Sequence, residues 1–287
     1  MHDFTLLMAV YAHDDEGFVR SAYASATTGQ DLPPTSVVVV QDGPVPRGIA
    51  AWLEEISASD AVSVVRLEHN RGLAAALNAG LAQVPTEIVA RADADDICLP
   101  ERFALQIPLI ESGFDLVGSA IAEFSDDPAH PGTVRSVLTT QAEIEQQARL
   151  ESPFHHPSVV FRKQAVLDVG GYPELRQMED YLLWAKMLGN GARVANIDQV
   201  LVHYRVGAGA FQRRGGKILA QSESRLQKEF LATGFINHWQ YARNWILRGP
   251  VYRYMPARLR RFLYHLWIQV VLPRQSTLSE RELNAHF

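Results

Sequence analysis

The first third of the chain alternates short apolar runs with segments of helical period. Phe4 to Tyr11 predicts a strand and Glu16 to Thr27 an amphipathic helix. Ser36 to Gln41 (SVVVVQ) predicts a buried strand, bounded by Pro33-Pro34 and by Asp42-Gly43-Pro44. A helix from Gly48 to Ser57, a strand from Ser63 to Leu67, a helix from Leu73 to Ala82 and a strand from Glu87 to Arg91 follow. This rhythm predicts an α/β fold with a mostly parallel sheet flanked by helices. Ligands of such sheets bind beyond the carboxyl ends of the strands. Three of those ends carry polar clusters: Tyr11 to Asp14, Asp42-Gly43, and Asp93 to Asp96.

The middle of the chain is less regular. Ile121 to Val137 reads as a strand and a loop, Thr140 to Leu150 as a helix, and Ser158 to Arg162 as a short strand. Gly170-Gly171-Tyr172-Pro173 marks a turn before a helix from Glu179 to Leu188, and two strands, Arg193 to Ile197 and Val200 to Tyr204, close the pattern. From about Gln221 the character changes. Between Tyr241 and Arg274 there is no Asp or Glu, and arginines interleave with Trp245, Tyr252, Tyr254, Phe262, Tyr264 and Trp267. Such a segment suits either a membrane-surface helix or a helical subdomain packed on the core. The division expected is 1–217 for the main domain and 218–287 for a helical C-terminal extension, with a membrane surface among its partners.

Composition narrows the classes. At 287 residues and 47% hydrophobic content the chain can bury a sizeable core. A net charge of −5 argues against nonspecific nucleic-acid binding, so no nucleic-acid partner is expected. Cys98 is the single cysteine, which rules out an intramolecular disulfide and fits a reducing compartment; it reads as a packing residue. The N-terminal apolar run lacks a basic flank and reads as a first strand rather than a leader. No window approaches the roughly 18 apolar residues of a spanning helix. The expected location is cytoplasmic, with peripheral contact at the inner face of a membrane.

The candidate chemistry begins at IVARADADDICLP, residues 88–100, where Asp93, Asp95 and Asp96 follow an apolar strand. Crowded carboxylates repel and resist desolvation. A divalent cation, Mg²⁺ or Mn²⁺, relieves both, and such sites take one or two carboxylates plus substrate phosphates.

With that placement the chain resembles a family 2 glycosyltransferase, an inverting, nucleotide-sugar-dependent enzyme of GT-A fold. The resemblance is carried in order by LLMAVYAHDD, VVVVQDG, NRGLAAALNAGL, RADADDICLPER, HHPSVVFRK, VGGYPE, QMEDYLLW and VHYR, over roughly residues 4 to 205. It implies that Asp42 accepts from the N3–H of a uracil or thymine base, with Ala9, Tyr11 and nearby backbone lining the nucleotide. Asp93 would contact the ribose or the metal's water shell, Asp95 would ligate the metal, and Asp180 would be the general base toward the acceptor hydroxyl. Two positions depart from the family pattern: Gln41 stands where an Asp is usual, and Ala12 where an Asn is usual.

Sugar transfer with inversion needs an activated hydroxyl and a stabilised diphosphate leaving group, and two acidic centres far apart in sequence supply both. Glu179-Asp180 also suits the first turn of any helix, where the macrodipole favours acids. His155, His156 and His203 are either structural or contacts to diphosphate or metal. Arg213 and Arg214, in a Gly-rich basic loop, form either a lid over the diphosphate or part of a linker. Tyr172 and Trp184 either stack on an acceptor sugar or pack in the core.

The function expected is metal-dependent transfer of a hexosyl or deoxyhexosyl unit from a UDP- or dTDP-sugar to a polysaccharide or lipid-linked glycan. The rivals are a nucleotidyltransferase and a non-catalytic carbohydrate-binding protein. A nucleotidyltransferase would carry a Gly-rich loop after strand 1, where this chain has the acidic AHDDEGF.

Overall fold

A computed structural model describes residues 2–206 and 217–254 of the chain. Nine strands form one sheet: β1 Phe4–Tyr11, β2 Ser36–Asp42, β3 Val62–Leu67, β4 Ile88–Ala92, β5 Ile97–Cys98, β6 Leu116–Phe124, β7 Val134–Arg135, β8 Val160–Arg162 and β9 Val194–Arg205. The strand order is β3-β2-β1-β4-β8-β6-β9-β5, with β7 beside β6. The half built from β1 to β4 is parallel throughout. Beyond β4 the sheet is mixed, because β8 runs antiparallel to both β4 and β6 whereas β9 is parallel to β6.

Alternation along β1 explains the layering. Leu6, Met8 and Val10 face one core with α1 (Glu16–Ala26), α2 (Arg47–Ile56) and α4 (Arg102–Glu111). Leu7 faces the other, with Val38 and Val40 of β2, α3 (Leu73–Gln83), α5 (Gln141–Ala148) and α7 (Glu179–Gly189). Residues two apart point to the same side of a strand, so one eight-residue run feeds both cores. A short α6, Lys163–Leu167, follows β8.

The C-terminal part of β9 differs from the sequence expectation. Arg193 to Tyr204 reads as two strands, yet β9 is one bent strand with a register shift against Ser119–Ile121 of β6. The exposed pair Asp198-Gln199 sits in the irregularity, so the polar interruption makes a bulge rather than a turn.

Two further helices, α8 (Lys217–Ala232) and α9 (His238–Tyr254), lie against the outer side of α7. Leu219, Leu226, Phe230 and Ile236 join Leu175, Met178, Tyr181 and Leu182 in a third apolar cluster. A polar seam completes the contact. Asn244, fully buried, donates to the Arg149 carbonyl and to Gln227 Oε1, each at 2.9 Å, and Arg248 forks onto buried Glu223 at 2.8 Å. Trp239, Trp245, Ile246 and Leu247 of α9 remain exposed. Arg213, Arg214 and the basic-aromatic stretch from residue 255 onward lie outside the described residues. Among the described residues no helix is long and apolar enough to cross a membrane.

Candidate active site

Parallel pairing of β1 with β2 and β4 brings the three polar strand ends side by side. Tyr11 lies in register with Asp42, and Met8 with Ala92. The loops Tyr11–Asp14, Asp42–Gly43 and Asp93–Asp96 therefore share one end of the sheet, as expected for a ligand site of this topology.

Asp42 is buried and holds the neighbouring loop. Its Oδ1 accepts from the Arg71 backbone N–H at 2.7 Å and its Oδ2 from that of Gly72 at 3.0 Å, while its carbonyl accepts from Asn70 Nδ2 at 3.3 Å. A carboxylate has about four acceptor positions, so these bonds leave capacity for a further donor. Gly43 is required beside it. Its φ is +80°, and a Cβ there would sit 2.5 Å from the Asn70 backbone nitrogen. Gln41, where the family usually has Asp, turns its amide to the Gly43 carbonyl at 2.9 Å. Ala9 is half-buried on β1, and Tyr11 is exposed with its ring edge-on to His13.

The acidic loop is crowded. Asp14 accepts from the Tyr11 backbone N–H at 2.8 Å and is pushed up to about 7, first by burial and then by the charges of Asp95 and Asp93. Asp95 is raised to about 6, by burial and by Asp93. Asp96 is buried and raised well above its ordinary value, by burial and then by the charges of Asp93 and Asp95. Two arginines answer part of this charge. Arg91, 1% exposed beneath the loop, is ion-paired with Asp93. Arg205 at the end of β9 donates its backbone N–H to Asp96 Oδ1 (2.8 Å) and its Nε–H to the Asp95 carbonyl (2.9 Å). Its guanidinium stacks over Phe18 and Phe124 at 3.7 and 4.4 Å from the ring centroids.

Among the described residues no three His, Cys, Asp or Glu side chains form a ready-made metal cage. The donor set instead fits a hard cation held by one or two carboxylates and completed by ligand phosphates. Burial first, and then the charges of the neighbouring aspartates, raise Asp14 and Asp95, and a divalent cation held by these carboxylates would favour their charged forms.

The second acidic centre opens α7. Glu179 is buried and Asp180 half-exposed. Burial and the neighbouring Asp180 raise Glu179 to about 7; Arg91 opposes the shift and Asp93 adds to it. The preceding Gln177 has φ +68°, a left-handed conformation that turns the chain sharply into α7.

Charges from both centres reach Tyr172, which packs against His156. The Tyr172 hydroxyl bonds His156 Nε2 at 3.2 Å, both residues are buried, and Tyr172 feels the charges of Arg91, Asp180, Glu179 and Asp93. Burial drives the His156 pKa well down, so the ring is neutral. Trp184 is fully buried against Phe154, His156 and Tyr172, with centroids 5.9 to 6.5 Å apart. Stacking on a sugar needs an exposed ring face, and neither Tyr172 nor Trp184 has one; they pack behind the site. His155 is half-buried beside His156. His203 pairs with Ile97 across β5 and β9, next to the acidic loop, and burial lowers its pKa.

Several site residues escaped the sequence reading. Arg91 had a visible signal, a charge inside the otherwise apolar IVARA. Asn78 had none: on α3, it accepts from the Tyr172 backbone N–H and donates to the Tyr172 carbonyl, each at 2.8 Å. Arg102 is fully buried, donating to the carbonyls of Arg91 (2.7 Å) and Val159 (3.3 Å) and to Cys98 Sγ (3.0 Å), which fixes Cys98 as a packing residue.

The model of the family described as Glycosyl transferase family 2 matches residues 7–170. The chain is a family 2 glycosyltransferase. It is 36% identical over 266 residues to the amylovoran biosynthesis glycosyltransferase AmsE of Erwinia amylovora, covering 91% of this chain and 97% of that protein. It is 34% identical to an Escherichia coli UDP-Gal:alpha-D-GlcNAc-diphosphoundecaprenol beta-1,3-galactosyltransferase, over 91% of this chain and 94% of the other. Among solved structures it is similar to the 1–349 portion of S. aureus TarS, crystallised with UDP-GlcNAc, with a TM-score of 0.67 and 18% identity over 94% of this chain and 82% of that one. That likeness concerns the fold, which is GT-A.

Proposed function

We propose that this glycosyltransferase moves a hexosyl or deoxyhexosyl unit, with inversion, from a UDP- or dTDP-sugar to a hydroxyl of a polysaccharide or lipid-linked glycan. What supports the reading is the pair of acidic centres, Asp93–Asp96 after β4 and Glu179–Asp180 at the start of α7, whose charges both reach the buried Tyr172. One centre suits the diphosphate side and the other the acceptor proton.

Asp42 receives the base N3–H with its remaining acceptor capacity, and Ala9 and Tyr11 line the nucleotide. Asp93 contacts the ribose or the metal's water shell, and Asp95 would hold Mn²⁺ or Mg²⁺. When bound, the cation supplies charge neutralisation to the departing diphosphate. Asp180 takes the proton from the acceptor hydroxyl as it attacks C1, and a single base on the acceptor side suits direct displacement with inversion. Glu179, raised to about 7 by burial and Asp180, shares the charge of that pair. His155, His156 and His203 border the diphosphate and acceptor region, and Tyr172 with Trp184 backs it. Arg213 and Arg214 are assigned to the diphosphate side on the sequence alone.

The two relatives support the substrate class by their descriptions, one in amylovoran biosynthesis and one acting on a diphosphoundecaprenol-linked sugar. We divide the chain into a GT-A domain, 1–217, and a helical extension, 218–287. The exposed Trp239, together with Trp245, Ile246 and Leu247 in the acid-free stretch from Tyr241 to Arg274, supports seating of the extension on a membrane surface beside a lipid-linked acceptor.

Calorimetric titration with UDP, dTDP, GDP and ADP, with and without Mn²⁺, tests the reading. Metal-dependent binding confined to UDP or dTDP is expected. A preference for GDP or ADP refutes the base assignment, and no binding to any of the four refutes the proposed nucleotide-sugar donor.

A further inference from the structure

We propose that Arg205 is a positioning residue for the donor side of this site: its side chain fixes the turn that carries Asp95 and ties that turn to the loop after β1. The proposal rests on the role given above to Asp95.

The sheet itself delivers Arg205 to the acidic loop. Ile97 of β5 pairs with His203 of β9, and Arg205 follows two positions later, beside Asp95 and Asp96. It ends β9 in register with Phe124 of β6, and the next residue, Val206, donates its N–H to the Phe124 carbonyl at 2.7 Å. From this anchored strand end the residue grips the loop twice. Its backbone N–H donates to Asp96 Oδ1 at 2.8 Å, and its Nε–H donates to the Asp95 carbonyl at 2.9 Å. The second bond acts on the planar peptide unit that joins Asp95 to Asp96. Holding that carbonyl restrains the backbone rotation at Asp95, from which the carboxylate projects.

The guanidinium is held on its other sides as well. Nη1–H donates to the Ser125 carbonyl at 3.2 Å, and the guanidinium carbon lies 3.7 Å from the Phe18 ring centroid and 4.4 Å from that of Phe124. A cation over aromatic faces is favourable, and two rings leave the fork little freedom to swing. Phe18 stands in the first turn of α1, where its N–H donates to the capping Asp15 at 3.1 Å. The loop leading into that turn carries Tyr11 and Asp14. Three segments remote in sequence therefore share one anchor: the β1–α1 loop, the β4–β5 turn and the end of β6. Lysine does not fit this place. Its ammonium is a point charge without the planar fork that reaches the Asp95 and Ser125 carbonyls together.

The test uses the full chain as wild type, Arg205→Met and Arg205→Lys. Methionine keeps apolar bulk against Phe18 and Phe124 and removes both side-chain donors. UDP and dTDP binding is measured by calorimetry without metal and in saturating Mn²⁺, with folding checked by circular dichroism. In Arg205→Met the affinity in Mn²⁺ should fall about tenfold, the scale of a lost charge-assisted bond. Metal-free affinity should stay within about twofold, because Asp42 is held by the Arg71 and Gly72 backbone and not by Arg205. Arg205→Lys should lose roughly threefold in Mn²⁺, since the charge remains and the fork is gone. A folded Arg205→Met with wild-type affinity in Mn²⁺ overturns the proposal. So does an equal loss with and without metal, which marks a general structural role. Should Arg205→Met not fold, Arg205→Lys decides, and wild-type affinity in Mn²⁺ is the overturning result there. A wild type whose nucleotide binding ignores Mn²⁺ overturns the role of Asp95 itself, and this inference with it; strong Mn²⁺ dependence in the wild type with unaltered variants overturns this inference alone.

Discussion

Asn78 offers a sharp test of how the site is built, because its whole contribution passes through two hydrogen bonds. Its amide spans from α3 to the backbone of Tyr172, accepting at Oδ1 and donating from Nδ2, each at 2.8 Å. Gly171, at φ +75°, lies so close that a Cβ would approach Asn78 Oδ1 to 2.6 Å. Asn78→Ala removes both bonds, worth about 1 kcal/mol each. It also strands the N–H and C=O of a residue only 2% exposed, which adds a penalty and brings the expected loss to about 2–4 kcal/mol. Asn78→Asp keeps the acceptor but sets a second oxygen against the Tyr172 carbonyl, so at neutral pH it should be no more stable than the alanine variant. Urea unfolding followed by circular dichroism, extrapolated to water, reads the difference, and the m-value should not change. A loss below about 0.5 kcal/mol in Asn78→Ala, or wild-type stability in Asn78→Asp, would refute the clamp.

Three further outcomes follow from the same geometry. Asp180→Asn should leave UDP affinity within about threefold of wild type while turnover falls at least about a hundredfold, the usual scale for losing a general base; wild-type turnover would remove Asp180 from the mechanism. Gly43→Ala forces a left-handed position and a backbone clash, so thermal unfolding should reveal a loss of roughly 2 kcal/mol or more, with weakened nucleotide binding as the Asn70–Gly72 loop moves off Asp42. For pH, Asp14 and Glu179 are raised to about 7 and Asp95 to about 6, above ordinary values of 3.8 for the aspartates and 4.5 for the glutamate. Between those limits the folded chain binds more protons than the unfolded one, so this contribution is full below about pH 4 and is lost as pH rises through 6 to 7. The metal-free melting temperature should fall from pH 5 to 8, and Asp14→Asn should flatten the fall. A wild-type melting temperature that rises across this window would contradict the crowding of these carboxylates.

Much of the parallel half was legible along the chain. SVVVVQDG carries its strand in valines and its turn in Gly43, and the helix from Leu73 stands where its period puts it. These signals are local, since a strand's alternation or a glycine's left-handed turn is written in adjacent residues. The β9 bulge was misread because exposed Asp198-Gln199 resembles a turn unless the β6 partner is known. The motifs carrying the family resemblance also named the acidic loop and the Glu179-Asp180 pair from sequence.

What surrounds those acids belongs to the tertiary structure. Arg91 shows in the sequence only as a charge inside an apolar strand; its full burial and its pairing with Asp93 appear only in the fold. Asp14 gains its raised pKa from burial and then from the charges of Asp95 and Asp93, which the parallel pairing of β1 and β4 brings to the same end of the sheet. Asn78 and Tyr172 are 94 positions apart, and no local pattern relates them. The sequence by itself determined the strands and helices of the parallel half and singled out the acids proposed to react, because backbone preference and side-chain chemistry are properties of neighbours. The charge each acid carries, and the partner that holds it, depend on desolvation and distance, which exist only once remote segments have packed.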